Sequence, residues 1–255
     1  MDLDHVALAS RDSQAVMRVL VQDLGATVMQ GAVQAGFRPV QLRMGDAGRG
    51  MTLELLEPYR VEQHDFLERF LVARGPGPHH LTFKVDDLAA EIDRLRAAGL
   101  HPTGIFLDSD RWKECFLHPA EAHGTVVQLA QGGLDAYATY ADHFAAFAAA
   151  RAGNPYGEPV WWDDPGPRAP APTYLDRVVL ATPEPAAAVA LYTGVLGGTV
   201  GSEADGWTDV EWPGGCLRIT PAGDGPTGVV RLECTAAGAP RTVTVAGTDL
   251  VVTAA

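Results

Sequence analysis

The sequence is short of sulfur, of positive charge and of long apolar runs. Its three cysteines, Cys115, Cys216 and Cys234, are too few and too scattered for a disulfide framework, and none forms a Cys-x-x-Cys pair. That usage fits a reducing compartment. Lysine and arginine total 19 against 32 aspartates and glutamates, leaving a formal charge of −13. A surface of that sign repels nucleic acid backbones and anionic lipid. No apolar run approaches the ~18 residues that cross a bilayer, and the first residues lack the basic and apolar stretches of a secretory signal. The expectation is a soluble, cytoplasmic protein whose partners are neither nucleic acid nor membrane.

What is present is ordinary globular composition, 47% hydrophobic and 20% charged, arranged in a repeating pattern. Two short strands are nearly alike: Leu3-Asp4-His5-Val6-Ala7-Leu8 and Pro78-His79-His80-Leu81-Thr82-Phe83. Each carries a histidine early in an alternating apolar run, then an aspartate-bearing turn and an amphipathic stretch. After the first strand, Ala15, Val16, Val19, Leu20 and Leu24 recur at helical spacing, with Ser10 or Asp12 as cap and Gly25 as stop. Strands are expected at Ala26–Gln30, Pro39–Met44 and Met51–Leu56, with a turn at 46–50. Val61–Arg74 is expected to be a helix, broken by Gly75-Pro76-Gly77-Pro78. The same order then restarts: strand His80–Val85, a helical stripe of Leu88, Ile92 and Leu95, and strands near 103–107, 111–117 and 125–130. Two βαβββ units therefore fill the first ~130 residues, an internal duplication.

A helix is expected over 134–152, followed by a proline-dense linker in which Trp161 and Trp162 pack onto a domain. The pattern then returns. Residues 174–200 align with 2–28 at a constant offset of 172, and ten positions are identical without a gap. Strands near 209–212 and 216–220 complete this third unit. A fourth is cut short: Val229–Cys234 matches the His80 strand, but no helix follows, and 241–246 with 249–253 form a closing hairpin. The expected organisation is a domain at 1–131, a helix and linker at 132–172, and a degenerate, truncated copy at 173–255.

Each of the first two units ends in an apolar strand interrupted by one polar residue, Glu54 in the first and Gln128 in the second. A lone histidine on a strand is usually a satisfied core residue. Two at equivalent places in a duplicated unit, each matched by a polar residue on the closing strand, favour a metal site. His79 alternates to the other face of its strand and is expected to meet solvent. His118 and His123 fall in the loop before the last strand, and His64, His101 and His143 have the settings of structural or exposed residues.

Five stretches carry a family resemblance: Leu-Asp-His-Val at 3–6, Leu-Glu-Leu-Leu-Glu-Pro at 53–58, His-His-Leu-Thr-Phe-Lys-Val-Asp-Asp-Leu at 79–88, Phe-Leu-His-Pro at 116–119 and Gly-Thr-Val-Val-Gln-Leu-Ala-Gln at 124–131. Together they resemble the vicinal oxygen chelate superfamily of glyoxalases, bleomycin-resistance proteins and extradiol dioxygenases, and most closely its methylmalonyl-CoA epimerase branch. The resemblance covers 1–131 well and 174–255 at the level of fold. It implies an α+β fold in which tandem βαβββ modules form an open mixed-sheet barrel. It further implies a divalent ion (Co, Ni, Mn, Fe or Zn) held by His5, Glu54, His80 and Gln128, a donor set that suits such ions and leaves positions open for substrate oxygens. A small-molecule substrate and a homodimer are in keeping with it.

Two positions depart from the epimerase pattern, which uses a pair of carboxylates as acid and base. Gln41 occupies the first and Gln128 the second, and an amide cannot accept a proton at neutral pH. Glu114, on the strand of the second unit that corresponds to the Gln41 strand, is a candidate replacement. Between Trp112 and Phe116 it would be half-buried and would hold a proton more tightly, as a general base needs. The alternative is a surface glutamate paired with Lys113 or Arg111. Glu54 is a second candidate base if it leaves the metal. In the second half the corresponding positions are Arg177, Arg218 or Ile219, Arg231 and Val251, which cannot hold a metal. A structural half is the favoured expectation, anion binding the other. The expected activity is metal-dependent isomerase, epimerase or lyase chemistry on a small acid or acyl-CoA, a proton moving by way of an enolate. A non-catalytic ligand-binding protein and an Fe(II) dioxygenase are the rivals.

Overall fold

The computed structural model describes residues 1–109, 112–132 and 161–255, so the helix expected over 134–152 and His143 lie outside the described residues. The first half supplies β1 (Asp2–Ala9), β2 (Thr27–Gly31), β3 (Phe37–Gly45), β4 (Gly50–Pro58), β5 (Gly77–Lys84), β6 (Thr103–Phe106), β7 (Trp112–Leu117) and β8 (Val126–Gly132). They form one eight-stranded sheet in the order β2-β3-β4-β1-β5-β8-β7-β6. The second half supplies β9 (Tyr174–Thr182), β10 (Thr199–Ala204), β11 (Trp207–Trp212), β12 (Gly215–Pro221), β13 (Gly228–Ala236), β14 (Arg241–Val245) and β15 (Thr248–Ala254). Their seven-stranded sheet runs β10-β11-β12-β9-β13-β15-β14. The fold is α+β, with two open sheets built from paired modules and few helices. Among the described residues no helix is long and apolar enough to cross a membrane.

The duplication is visible in local geometry. Asp12 caps α1 (Ser13–Arg18), its carboxylate accepting the Ala15 N–H at 3.2 Å. The helix then widens into a π-turn over Val19–Asp23, the Leu24 N–H reaching the Val19 carbonyl. In the second module α3 (Leu88–Ala97) buries Leu88, Ile92 and Leu95, the stripe seen in the sequence. In the third module α4 (Pro185–Ala190) widens as α1 does, over Leu191–Val195, with Leu196 reaching Leu191. Gly25 and Gly197 close the two widened copies at φ 69° and 70°, a left-handed conformation that favours glycine. Repetition of so uncommon a feature at the same offset as the sequence match is what a shared ancestor predicts.

The helix expected to begin at Val61 begins at Phe66, as α2 (Phe66–Arg74). Residues 60–63 form a turn instead, with Arg60 at φ 50° and the Gln63 N–H on the Arg60 carbonyl. Only from Phe66 onward does the stretch have an apolar face to bury: Leu67 and Leu71 join Ala7, Ala9 and Leu56 in one cluster, flanked by Phe37, Phe66 and Phe70.

Two compact units group the chain. One comprises Met1–Val6, His79–Ala136 and Asp176–Glu233. Its core joins the second and third modules: Phe83, fully buried, meets the rings of Tyr192 and Trp212 at 6.2 and 5.1 Å, and the Tyr192 hydroxyl donates to the Ala122 carbonyl. The other comprises Ala7–Pro78, Tyr137–Leu175 and Cys234–Ala255. Here the linker is pinned to the first module. The Ala169 and Thr173 N–H groups donate to the carbonyls of Val21 and Leu24, and Gln22 donates to Pro165. Trp162 is buried against Gly31, where an added Cβ would lie 2.3 Å from the indole. The end of β13 follows suit, Arg49 donating to Thr235 Oγ1 at 2.6 Å.

Candidate metal centre

The four residues expected to hold a metal stand on four adjacent strands at the middle of the eight-stranded sheet: Glu54 on β4, His5 on β1, His80 on β5 and Gln128 on β8. All four are buried. One ligand atom from each of His5, Glu54 and His80 lies within 4.8 Å of the others. Burial of a carboxylate and two imidazoles without partners would be costly, and each is tied into a hydrogen-bonded row.

The rows follow from register. Gln41 stands opposite Glu54 across β3–β4, and Gln30 opposite Gln41 across β2–β3. The Gln41 amide accordingly donates to Glu54 Oε1 at 3.2 Å and accepts from Gln30 at 2.7 Å. Gln41 is therefore a support for the Glu54 carboxylate. Across the parallel β5–β8 pair Thr82 faces Gln128. Its hydroxyl donates to Gln128 Oε1 at 2.6 Å and lies 2.9 Å from His5 Nε2. The Gln128 amide then donates to Glu114 Oε2 at 2.8 Å, which also accepts from Trp112 Nε1 at 2.7 Å. Glu114 is thus half-buried, joined to the site through Gln128, and its Oε1 has no hydrogen bond among the described residues. Arg111, one of its alternative partners, lies outside the described residues.

Each histidine is held at Nδ1 by the residue before it. Asp4 Oδ2 lies 2.6 Å from His5 Nδ1, and since a carboxylate can only accept, that nitrogen carries the proton. His79 Nδ1 lies 2.8 Å from His80 Nδ1. Alternation along the strand would turn His79 to solvent; it is half-buried instead. Nδ1 is the ring nitrogen nearest the backbone, so consecutive rings on a strand can meet there without sharing a face. The rings of His5 and His80 stand edge to face at 5.7 Å. Burial, then the neighbouring His79 and His5, push the His80 pKa well below that of an ordinary imidazole. A neutral imidazole is the form that ligates a metal.

The other histidines stand apart. His101 pairs with Glu121 at the surface, His118 accepts from the Ala120 N–H, and His64 packs on Phe66. His123, at φ 58°, lies 3.3 Å from Thr182 Oγ1. Three residues of the rows, Thr82, Asp4 and Gln30, escape the sequence reading. The signal available for Thr82 is its position two after His80, on the same face of the strand; for Asp4 and Gln30 only the pairing reveals the role.

The donor set fits a divalent ion: two imidazole nitrogens and a carboxylate grouped within one ion's reach, with an amide oxygen linked to them through Thr82. Glu54, His5 and His80 together are also the two-histidine, one-carboxylate set of non-haem iron sites.

The chain resembles known proteins at the level of fold and family model. Over its whole length the chain is similar in fold to a hypothetical protein from Staphylococcus aureus, with a TM-score of 0.61 and 10% identity over 99% of both chains. Two methylmalonyl-CoA epimerases, from Streptomyces coelicolor (a variant in complex with 2-nitronate-propionyl-CoA) and Mycobacterium tuberculosis, are each 26% identical over 52% of this chain, at TM-scores of 0.45. They are covered over 98% and 88% of their own lengths. No curated protein matches the chain. Residues 4–116, within the first two modules, match the family model of the Glyoxalase/Bleomycin resistance protein/Dioxygenase superfamily.

Proposed function

We propose that the chain is a metal-dependent enzyme of the glyoxalase and epimerase type, acting on a small acid or acyl thioester with two neighbouring oxygens. The observation that carries this is the grouping of His5, Glu54 and His80 ligand atoms within 4.8 Å. We assign His5, Glu54, His80 and Gln128 as the residues that hold the ion. When bound, a divalent ion supplies Lewis-acid polarisation of a carbonyl and so acidifies the adjacent C–H.

The chain supplies the rest. Trp112 and Gln128 fix Glu114 through one oxygen, and the other takes the proton from the substrate carbon. Gln30 and Gln41 hold Glu54 in a single orientation, so that it serves as a ligand in preference to a base. With amides at both of the usual acid–base positions, a single carboxylate exchanges the proton, which suits isomerisation or lyase chemistry better than a two-base inversion. Gln41 also favours a second reading, a binding protein that holds such a ligand without turning it over, because its amide is committed to Glu54 and Gln30.

Exchange of the α-proton in deuterated water separates the two. Protein reconstituted with Co, Ni, Mn, Fe(II) or Zn is incubated with acyl thioesters and 2-hydroxy or 2-keto acids. Metal-dependent deuterium incorporation is expected, and it should vanish in Glu114→Gln. Tight binding of the same compounds with no exchange under any metal would instead mark a binding protein.

A further inference from the structure

The seven-stranded sheet carries a second constellation, on the strands that correspond to the metal strands of the first. Arg218 on β12, Arg177 on β9 and Arg231 on β13 stand on three adjacent strands. Arg177 occupies the place of His5, 172 residues on. Asp209 faces Arg218 across β11–β12 and is buried, 1% exposed. Its carboxylate accepts from Arg218 Nε and Nη2 at 2.7 and 2.8 Å, and from Arg177 Nε at 3.0 Å. Glu233 accepts from Arg218 Nη1 at 3.2 Å and from Arg231 Nε and Nη2 at 3.3 and 2.8 Å. The Trp207 ring covers the Arg218 guanidinium at 3.8 Å.

The charges of this cluster do not cancel. Three guanidiniums are set against two carboxylates, leaving one positive charge. Glu211, the next acid on β11, has no hydrogen bond or ion pair with the three arginines among the described residues, and its carboxylate lies over Gly201 of β10. Arg218 is held on every side, whereas its neighbours are held by part of their forks. Arg177 spends only Nε on Asp209, and its Nη1 and Nη2 have no hydrogen bond among the described residues. Arg231 keeps Nη1 in the same condition. Their side chains are 37% and 40% exposed, so solutes can reach both. Arginines fixed at one end by a buried carboxylate, Asp209, and a half-buried one, Glu233, with terminal N–H groups presented to solvent, are preorganised to grip a planar or tetrahedral oxyanion.

We propose that this face of the second sheet binds a small oxyanion, a carboxylate or a phosphate, through the terminal nitrogens of Arg177 and Arg231. Asp209 and Glu233 act as positioning residues, and Arg218 is the bridge between them. The second half is then a binding module that exchanged a cation site for an anion site on one scaffold.

Isothermal titration of the full-length chain at low ionic strength, with inorganic phosphate and separately with malonate, tests the assignment. Saturable binding of at least one anion is expected: phosphate alone assigns a phosphoryl ligand, malonate alone a carboxylate, and both a general oxyanion site. Arg177→Gln and Arg231→Gln should each weaken binding by roughly tenfold or more, since each removes charged hydrogen bonds. Arg177→Lys, which keeps the charge and loses the fork, should fall between. Arg69→Gln, in an exposed pair on α2, is the control for loss of charge alone and should leave binding unchanged. Far-UV circular dichroism confirms that each variant is folded. Failure of wild-type protein to bind either anion, or equal weakening by Arg69→Gln and Arg177→Gln, overturns the proposal.

Discussion

The two sheets answer the same structural question in opposite ways. On the central strands of the first, His5, Glu54, His80 and Gln128 bring neutral and anionic donors together, a set suited to a cation. On the matching strands of the second, Arg177, Arg218 and Arg231 bring cations together, and Asp209 and Glu233 supply most of the compensation internally. The backbone of this module fixes where side chains converge and leaves the sign of the charge to the sequence. A duplicated scaffold can therefore change its ligand class by a few substitutions at equivalent strand positions.

The sharpest contrast is in what removal of a carboxylate does. In the first sheet Glu114→Gln leaves its hydrogen bonds with Trp112 and Gln128 largely replaceable, so the fold is expected to survive while proton exchange falls by roughly 10²- to 10⁴-fold. Measured exchange rates against metal content decide this, since the metal should stay. In the second sheet Asp209→Asn strips the buried partner from two guanidiniums. A stability loss of about 1–3 kcal/mol is expected, because charge-assisted hydrogen bonds are lost while the guanidiniums left behind keep partial access to water, and urea unfolding reads it directly. If Asp209→Asn were neutral, the second face would not be the tight ionic network described.

A smaller effect comes from protons. The His80 pKa is lowered well below 6.5 by burial and by its histidine neighbours, whereas the unfolded chain restores an ordinary imidazole. Between the two values the unfolded state binds the extra proton, so metal-free stability is full above pH ~6.5 and declines as pH falls below it. The slope from this one group is at most about 1.4 kcal/mol per pH unit. Unfolding midpoints of metal-free wild type and His80→Ala between pH 7 and 5 should show a steeper decline in the wild type.

Much of the fold was legible because period-two and helical patterns are local, and because the duplication repeats them. The strands carrying His5 and His80, the glycine stops and the truncation of the fourth module all have sequence signatures. Boundaries set by packing had none: α2 starts at Phe66 because only there does an apolar face reach the Ala7–Leu56 cluster. The candidate ligands were legible as polar interruptions of apolar strands. Their supports were not. Thr82 matters because it lies opposite Gln128, Gln41 because it lies opposite Glu54, and Asp209 because it lies opposite Arg218. Cross-strand register is a non-local property, and a single chain of letters does not display it.

The most direct test of the central claim is metal content. The full-length protein, stripped and then dialysed against Co(II), Ni(II), Mn(II), Fe(II) and Zn(II) in turn, should retain close to one equivalent of at least one ion by mass spectrometry. His5→Ala, His80→Ala and Glu54→Gln should each bring that figure close to zero while remaining folded, and Arg177→Gln should leave it unchanged. Wild-type protein that retains none of the five ions, or a His5→Ala, His80→Ala double variant that retains as much as wild type, would contradict the account.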